Sequence, residues 1–319
     1  MQKSVFFILH AYRCFVICFL VRRANKLGHT TKYGGKASDF LEKIWKKKIQ
    51  TGILKSCHDN CEKGVYAMEQ TVQRIGVIND VHGNLAALQA VLSRLEQLRC
   101  GTVICTGDVL AIGPCSGECL ALLRSLPDFR MVFGNHERYF LTGLDPQQIG
   151  QMSRAEREHQ LWVHRQLSSE DLDYLFHLPR TIRLDILGHR IIFTHYGAPG
   201  PQDPNHPFCQ LQDRPTAPWL DKIFQEYLSE EPEGIFYGHH HFFSDIHGKT
   251  RYVNCGSLGC PHSGVPLALA GMITVTPESM IFTPLMVPYN AGEMLARMDA
   301  MDMPERGTVK RIFYGLQRY

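Results

Sequence analysis

The stretch RIGVINDVHGNLAALQAVLSRLEQLRCGTVICTGD, residues 74–108, decides the fold class, because a segment with helical spacing lies between two apolar β-branched runs. RIGVI and TVIC have the composition of strands, and Asn84 is a typical N-cap for a helix over residues 84–99. The spacing allows a crossover helix back to a parallel strand. Residues 107–134 repeat this pattern, with 117–126 as the helix. We therefore expect an α/β protein with parallel strands.

Five short polar runs each follow an apolar run, so each lies where a predicted strand ends. They are Asp80-Val81-His82, Gly107-Asp108, Gly134-Asn135-His136-Glu137, Thr194-His195 and Gly238-His239-His240-His241. Ligands of α/β proteins bind at the carboxyl ends of strands, where several chain passages converge. Carboxylates, an amide oxygen and imidazoles form a mixed donor set that suits Mn²⁺, Fe or Zn²⁺ without a thiolate. The runs therefore predict one metal site, and the number of ligands favours two ions.

The charge distribution divides the chain at Met68. Residues 1–67 contain 13 Lys+Arg and 4 Asp+Glu, a net charge of +9, whereas residues 68–319 contain 21 and 27, a net charge of −6. Ten of the 13 lysines precede Met68, which indicates a change in the base composition of the gene. We expect residues 1–67 to be an N-terminal extension that is either not translated or disordered, and residues 68–319 to form one domain.

A membrane anchor and a secretory signal are the alternatives for this extension, because residues 4–21 are mostly apolar. His10 and Arg13 near the middle oppose a membrane span, since a central arginine costs roughly 2.5 to 3.5 kcal/mol on insertion scales. No small-x-small cleavage site follows promptly, which opposes a signal. We expect no membrane association.

The 11 cysteines form no paired C-x-x-C set. Cys100, Cys105, Cys255 and Cys260 lie in or beside apolar strands, where a free cysteine behaves as a small hydrophobe. Reduced cysteines are typical of the cytoplasm, which is the expected location.

Several further elements are predicted after the second crossover. They are helices over 136–143 and 153–178, a hairpin over 180–195 around Leu187-Gly188, a Pro-rich loop over 197–218, strands over 252–257, 268–275 and 280–287, and two short helices at the end. Ser168-Ser169-Glu170-Asp171 is a typical helix start. The Pro-rich loop follows His195 and is well placed to line the site.

The five runs resemble the calcineurin-like metallophosphoesterase superfamily, whose motifs D-x-H, G-D, G-N-H-[DE], H and G-H-x-H occur here in that order. Residues 254–259, NCGSLG, are similar to the NPGS-type turn of the small bacterial phosphodiesterase branch, and the resemblance covers essentially all of the chain after Met68. It implies a four-layer αββα sandwich of two mixed β-sheets flanked by helices. Residues 68–319 would then be a metallophosphoesterase domain.

The resemblance also implies roles for individual residues. Asp80, His82 and His241 would hold a first metal ion, Asn135, His195 and His239 a second, Asp108 would bridge both, and His136 would be the catalytic group. A hydroxide shared by two ions, Mn²⁺ first among them with Fe, Zn²⁺ or Ni²⁺ as alternatives, would attack the phosphorus. His136 would stabilise or protonate the departing alkoxide. His240 is expected to point away from the ions.

The expected substrate class is inferred from positions at which this sequence differs from the motifs of the resembled families. Protein Ser/Thr phosphatases have an acidic residue and an arginine where GDVLAIG has Ala111 and Ile112, and symmetrical diadenosine tetraphosphatases keep the arginine, so both fit less well. We expect a phosphodiesterase or phosphatase that acts on a small soluble phosphate ester or nucleotide. The negative charge of residues 68–319 opposes nucleic-acid binding.

Two points stay open in the sequence. A non-catalytic scaffold is the alternative of another class, because the retromer subunit of this fold acts by interaction and lacks the catalytic histidine that is present here as His136. Glu137, Arg138 and His206 either line the pocket or lie on the surface. Asn84 is expected to cap a helix and not to contact substrate.

Overall fold

The structure is a computed structural model that describes residues 72–142, 153–196, 214–261 and 264–316. Sheet one has the strand order β10-β9-β1-β2-β3. Its strands are β1 (Gln73–Ile78), β2 (Thr102–Cys105), β3 (Phe129–Met131), β9 (Leu267–Thr276) and β10 (Ser279–Pro288). The first three are parallel, β9 is antiparallel to β1, and β10 is antiparallel to β9, so the sheet is mixed.

Sheet two has the strand order β4-β5-β6-β8-β7. Its strands are β4 (Thr181–Ile186), β5 (His189–Thr194), β6 (Gly234–Tyr237), β7 (Phe243–His247) and β8 (Arg251–Cys255). The three central strands are parallel, and β4 and β7 pair antiparallel at the two edges. This sheet is also mixed.

The described segments contain eight α-helices and one 3₁₀ helix. The α-helices are α1 (Leu85–Gln97), α2 (Ser116–Arg124), α3 (Asn135–Thr142), α4 (Arg154–His164), α5 (Ser169–Phe176), α6 (Ala217–Ile223), α7 (Ala291–Ala300) and α8 (Arg306–Tyr314). The 3₁₀ helix is Gln225–Glu230. The Asn84 side chain accepts a hydrogen bond from Ala87 N, and Ser168 forms a capping box with Asp171, so both predicted caps are confirmed.

The side chains of each strand point alternately to the two faces of its sheet, and this alternation builds the layers of the fold. In β5, Ile191 and Phe193 face an apolar cluster between the two sheets together with Val77 of β1, whereas Ile192 faces a cluster outside sheet two with Leu220 of α6. A third cluster packs α1 and α2 against sheet one. Since successive side chains of a strand point to opposite faces, both faces of each sheet are covered. The predicted fold, two mixed sheets facing each other with helices outside, is confirmed.

The structure departs from the sequence-based expectations in several elements. The segment 153–178, predicted as helical, forms two helices, α4 and α5, and the 3₁₀ helix Gln225–Glu230 was not predicted. Strand β7 was not predicted, because FSDIH is too polar to be recognised as a strand and pairs only at the edge of sheet two. Helix α6 begins at Ala217, inside the predicted Pro-rich loop, with Pro218 in its first turn, where a proline is tolerated.

The N-terminal extension, the apolar stretch 4–21 and most of the Pro-rich loop lie outside the described residues, so their predictions are untested. No helix in the described segments is long and apolar enough to cross a membrane. The six cysteines in these segments that are recorded as free are Cys100, Cys105, Cys115, Cys119, Cys255 and Cys260.

Candidate metal centre

The predicted ligands lie in loops that follow the carboxyl ends of parallel strands. Those of sheet one are Asp80 and His82 after β1, Asp108 after β2, and Asn135 after β3. Those of sheet two are His195 after β5, and His239 and His241 after β6. Such strand ends form the binding crevice of α/β proteins.

Hydrogen bonds join the loops of the two sheets. The backbone N–H of His239 donates to both oxygens of Asp80, at 3.0 and 3.1 Å. Gly238 N donates to the carbonyl of His195 at 2.8 Å, and His195 Nδ1 donates to the carbonyl of Thr106 at 2.8 Å. The predicted ligands from both sheets therefore form one constellation.

One group of potential metal-ligand atoms is centred on Asn135. Its Oδ1 lies 3.0 Å from His195 Nε2 and 3.0 Å from His239 Nδ1. His195 Nε2 also lies 3.3 Å from Asp108 Oδ2. Asp108, His195 and His239 each offer a ligand atom within 4.8 Å of the others.

A second group contains His82 and His241, whose Nε2 atoms lie 3.0 Å apart. His241 Nε2 lies 3.7 Å from Asp80 Oδ1, and His82 Nε2 lies 4.0 Å from Asp108 Oδ2. His82 Nδ1 faces the carbonyl of Leu110 at 3.0 Å, which fixes that nitrogen as the donor and leaves a lone pair on Nε2.

The donor chemistry of both groups fits bound cations. Each group brings nitrogen and oxygen atoms of metal-ligating side chains to within about hydrogen-bond distance of one another, a set of atoms that suits a positive ion. Asp108 Oδ2 faces histidines of both groups, as a bridging carboxylate must. Asp80 and Asp108 are at most 1% exposed, so the repulsion between their carboxylates is poorly screened by water.

Burial also sets the protonation of these groups. It lowers the pKa of His241 to about 3 and that of His82 well below its usual range, so both imidazoles are neutral, the form that binds metal. Burial alone would lower the pKa of His195, but the charge of Asp108 raises it to about 9. Burial would raise the pKa of Asp108, but His195 holds it well below its usual range.

His136 lies at the edge of the second group. Its ring centroid is 4.9 Å from that of His82 and 5.6 Å from that of Tyr139, and burial lowers its pKa. The backbone N–H of His136 donates to Asp108 Oδ1 at 2.9 Å, whereas its Nδ1 is buried without a hydrogen-bond partner. A buried polar atom ordinarily has a hydrogen-bond partner, so the unpaired Nδ1 marks His136 as a candidate functional group.

Glu137 neither lines the pocket nor lies on the surface. Its side chain is fully buried, and its carboxylate accepts hydrogen bonds from the backbone N–H groups of Asp108, Val109, Leu110 and Gly134, at 2.7 to 3.2 Å. It therefore clamps the loop after β2 to the loop after β3. Gly134 lies so close to Asp108 that a Cβ there would be 2.1 Å from Asp108 Oδ1.

Five of the seven predicted ligands have left-handed backbone conformations. They are Asp80, His82, Asp108, His239 and His241, with φ of 51°, 46°, 56°, 69° and 44°. This conformation costs a residue with a Cβ roughly 1–2 kcal/mol. Strain of this kind concentrates at functional sites, where the surrounding structure enforces it.

The structure brings Cys260 beside the second group, although it is absent from the predicted ligand set. Its Sγ lies within 4.8 Å of ligand atoms of His82 and His241. The signal that was available is its position three residues after Ser257, in the turn that resembles the NPGS motif. His240 is buried, packs its ring on Phe242 and belongs to none of the potential metal clusters found among the described residues.

Arg138 and His206 are the other two residues for which the sequence left both a pocket position and a surface position open. Arg138 is exposed on α3, and His206 lies outside the described residues. Asn84 caps α1 and also donates to the carbonyl of Gly259 at 2.9 Å, so it joins α1 to the turn that carries Cys260.

Sequence comparisons identify related proteins. The calcineurin-like phosphoesterase superfamily domain matches residues 74–277. An uncharacterized protein of Methanocaldococcus jannaschii is 28% identical over 207 residues, which is 60% of this chain and 78% of that protein. A symmetrical bis(5'-nucleosyl)-tetraphosphatase of Yersinia enterocolitica is 43% identical over 67 residues, which is 20% of this chain and 23% of that enzyme.

Solved structures agree with this match. A metallophosphoesterase from Sphaerobacter thermophilus has a TM-score of 0.56 and 26% identity, covering 76% of this chain and 99% of its own. A hypothetical protein from Pyrococcus horikoshii OT3 has a TM-score of 0.62 and 20% identity, covering 77% of this chain and 99% of its own, which shows the shared fold. The chain belongs to the calcineurin-like phosphoesterase superfamily.

Proposed function

We propose that this protein hydrolyses a small soluble phosphodiester or phosphomonoester at a centre of two divalent ions. The observation that carries the proposal is the position of Asp108, whose Oδ2 lies 3.3 Å from His195 Nε2 in one ligand group and 4.0 Å from His82 Nε2 in the other. One carboxylate shared by two groups of lone-pair donors is the arrangement that a pair of cations requires.

In this proposal each group holds one ion. The first ion would take Asp80, His82, Asp108 and His241, and the second would take Asp108, Asn135, His195 and His239. Mn²⁺ is the first ion to test, because oxygen and imidazole ligands suit it, and Fe, Zn²⁺ and Ni²⁺ are the alternatives. When bound, the ions would supply positive charge to the phosphoryl group and make water a better nucleophile.

The chain's own residues position this chemistry. His82 and His195 each use Nδ1 to hold a backbone carbonyl, which fixes the ring orientation and directs Nε2 toward the ion. Glu137 holds the backbone of Asp108 and of Gly134, and so would keep the shared carboxylate in place. His136 would donate a hydrogen bond or a proton to the leaving oxygen, a role that typically contributes about 10²–10⁴-fold to rate.

Dinucleoside polyphosphate hydrolysis is the second candidate. The local identity to the Yersinia tetraphosphatase favours it. The family resemblance opposes it, because those enzymes keep an arginine in the motif where this chain has Ala111 and Ile112. Both residues have left-handed backbones, with φ of 65° and 62°, and neither carries a charge that would bind phosphate. The same difference makes protein phosphatase activity the weaker alternative.

The test compares turnover of three substrates by the full-length chain with added Mn²⁺. The substrates are bis-p-nitrophenyl phosphate, p-nitrophenyl phosphate and diadenosine tetraphosphate. His136→Ala should lower turnover by about 10²–10⁴-fold while the ion content stays unchanged. His247→Ala, on the exposed edge strand β7, is the matched control and should retain activity.

The preferred substrate distinguishes the candidates. Diester or monoester turnover that is lost in His136→Ala supports the phosphoesterase, whereas selective turnover of the dinucleotide supports the second candidate. If two ions bind per chain and none of the three substrates is hydrolysed, the non-catalytic scaffold is the better description.

A further inference from the structure

Cys260 lies beside the proposed first ion position. Its Sγ is within 4.8 Å of ligand atoms of His82 and His241, and these two histidines face each other with Nε2 atoms 3.0 Å apart. The residue is 1% exposed. A buried sulfur therefore joins two nitrogen lone pairs on one side of the site.

The surroundings of Cys260 differ from those of the other buried cysteines in the described part of the chain. Cys105, Cys115 and Cys119 belong to the apolar cluster on the outer face of sheet one, and Cys255 belongs to the cluster between the sheets. Cys260 is a member of none of the four apolar clusters found among the described residues. Cys260 is buried, as expected of a small hydrophobe, but packing within these four clusters does not account for its position.

Hydrogen bonds fix the Cys260 turn to both loops that carry the histidines. Ser257 N donates to the carbonyl of His241 at 2.8 Å, and Ser257 Oγ donates to the carbonyl of Asp80 at 2.8 Å. Gly259 N donates to the same Asp80 carbonyl at 3.0 Å, and Cys260 N donates to Ser257 Oγ at 2.9 Å. The sulfur is thus held in a defined position relative to the ion site, as a metal ligand must be.

We propose that Cys260 is a ligand of the first ion, together with His82 and His241, and that it makes this position selective for a thiophilic divalent ion such as Zn²⁺. The inference rests on the proposed metal centre and adds the identity of the ion at one of its two positions. On coordination the thiol proton passes to solvent and the thiolate binds the ion, because only the thiolate is a good ligand.

The two positions then differ in chemistry. The second position, with Asn135, His195 and His239, offers only nitrogen and oxygen and accepts Mn²⁺ or a similar borderline ion. The first position offers sulfur as well, and soft thiolate ligands favour Zn²⁺ over Mn²⁺. We expect a mixed pair of ions, with the thiophilic ion at the Cys260 side.

Cobalt substitution tests the inference by spectroscopy and does not depend on activity. The full-length chain is stripped of metal and titrated with Co²⁺, and the near-ultraviolet thiolate-to-cobalt charge-transfer absorption is recorded. We compare the native sequence with Cys260→Ser, Cys260→Ala and Cys255→Ser. Cys255→Ser is the matched control, since Cys255 is also buried and near in sequence but packs between the sheets.

The native protein and Cys255→Ser should show the charge-transfer absorption, and both Cys260 variants should lose it. In competition between Zn²⁺ and Mn²⁺, followed by elemental analysis, the preference for Zn²⁺ should fall by about tenfold or more in the Cys260 variants. Circular dichroism identifies a variant that fails to fold. If one of the two Cys260 variants fails to fold, the result of the other variant is used to judge the inference.

Three outcomes overturn the inference. If Co²⁺ binds, as visible absorption reports, but no thiolate absorption appears, the sulfur is not a ligand and the proposed function is unaffected. If the absorption persists in folded Cys260 variants, another cysteine is its source. If the native protein binds no Co²⁺ at all, the proposed metal centre fails, and the inference fails with it.

Discussion

At the residue scale, Glu137 shows how one buried side chain positions the candidate centre. Its two carboxylate oxygens accept four backbone N–H groups that would otherwise be unpaired in the interior. Two of these groups belong to Asp108 and Gly134, on the two loops that meet at the shared carboxylate. The acidic residue therefore stabilises a strained loop and the metal site together.

Glu137→Gln should be costly, because its amide nitrogen would face N–H donors and leave them without an acceptor. We expect a loss of about 3 kcal/mol in the free energy of unfolding, measured by denaturant titration. The affinity for Mn²⁺, measured by calorimetry, should fall by about 10–100-fold, since Asp108 is no longer held.

Glu158→Gln is the matched control for this change. Glu158 pairs with Arg154 on the surface of α4, where both side chains are more than half exposed. A surface ion pair contributes about 0–1 kcal/mol, so this variant should be close to the native protein. Equal losses in the two variants would contradict the proposed clamp.

At the element scale, the sequence predicts some helix ends better than others. Asn84 and Ser168 are caps that the sequence reveals, because a short polar side chain precedes an apolar periodic segment. The carboxyl end of α1 carries no such signal. Arg99 N donates to Glu96 O at 2.8 Å and Cys100 N donates to Leu95 O at 3.0 Å, which is a Schellman motif.

Arg99 occupies the left-handed position of this motif, with φ of 58°, where glycine is usual. Arg99→Gly should relieve the steric cost of the Cβ and raise the free energy of unfolding by about 1 kcal/mol. Arg94→Gly is the matched control, because Arg94 lies within the regular part of α1. There the same substitution should lower stability by about 0.5–1 kcal/mol. A stability loss in both variants, measured by thermal unfolding, would show that the Arg99 backbone is not strained.

At the scale of the whole molecule, His189 links the two sheets. It begins β5 in sheet two, and its Nε2 donates to the carbonyl of Thr276, at the end of β9 in sheet one, at 2.9 Å. Its Nδ1 lies 2.5 Å from Glu233 Oε2. Both ring nitrogens face acceptors, so the protonated imidazole fits this position best. The hydrogen bond that the His189 imidazole donates to the Glu233 carboxylate raises the pKa of His189.

A raised histidine pKa gives a defined pH dependence of stability. The contribution of His189 is fully present below the ordinary histidine pKa of about 6.5, and it is lost as the pH rises through the higher pKa of the folded state. His189→Gln should therefore lose stability relative to the native protein at pH 5.5 and lose less at pH 9, as measured by urea unfolding. His177→Gln, on the exposed end of α5, is the control. A pH-independent difference would show that the imidazole charge plays no part.

The N-terminal extension is a second prediction at this scale. The ten strands of the described segments and all seven predicted ligands lie between residues 73 and 288, so deletion of residues 1–67 removes none of them. We propose that residues 68–319 form the complete metallophosphoesterase domain. The deletion variant should keep the melting temperature and metal content of the full-length chain. A large loss in either, measured by calorimetry and elemental analysis, would show that the extension is part of the domain.

The sequence by itself determined the order of the main strands and helices, the positions of the five polar runs and the superfamily. These features are local: apolar periodicity, capping residues and motif order need only neighbouring residues. The edge strand β7 was missed because its stability comes from pairing with β8, and its own sequence is polar. Pairing between distant segments leaves little trace in a short window of sequence.

Only the tertiary structure decided the contacts of Glu137 and the position of Cys260. Glu137 follows His136 in a motif that looks like part of a pocket, but the fold turns its carboxylate into the interior, where four backbone donors from two loops converge. Cys260 looks like a core thiol, but sheet pairing and the Ser257 turn bring it to His82, far away in the sequence. Contacts of this kind depend on which distant loops come together at the strand ends. Hydrophobic periodicity is a local property, so it does not predict these contacts.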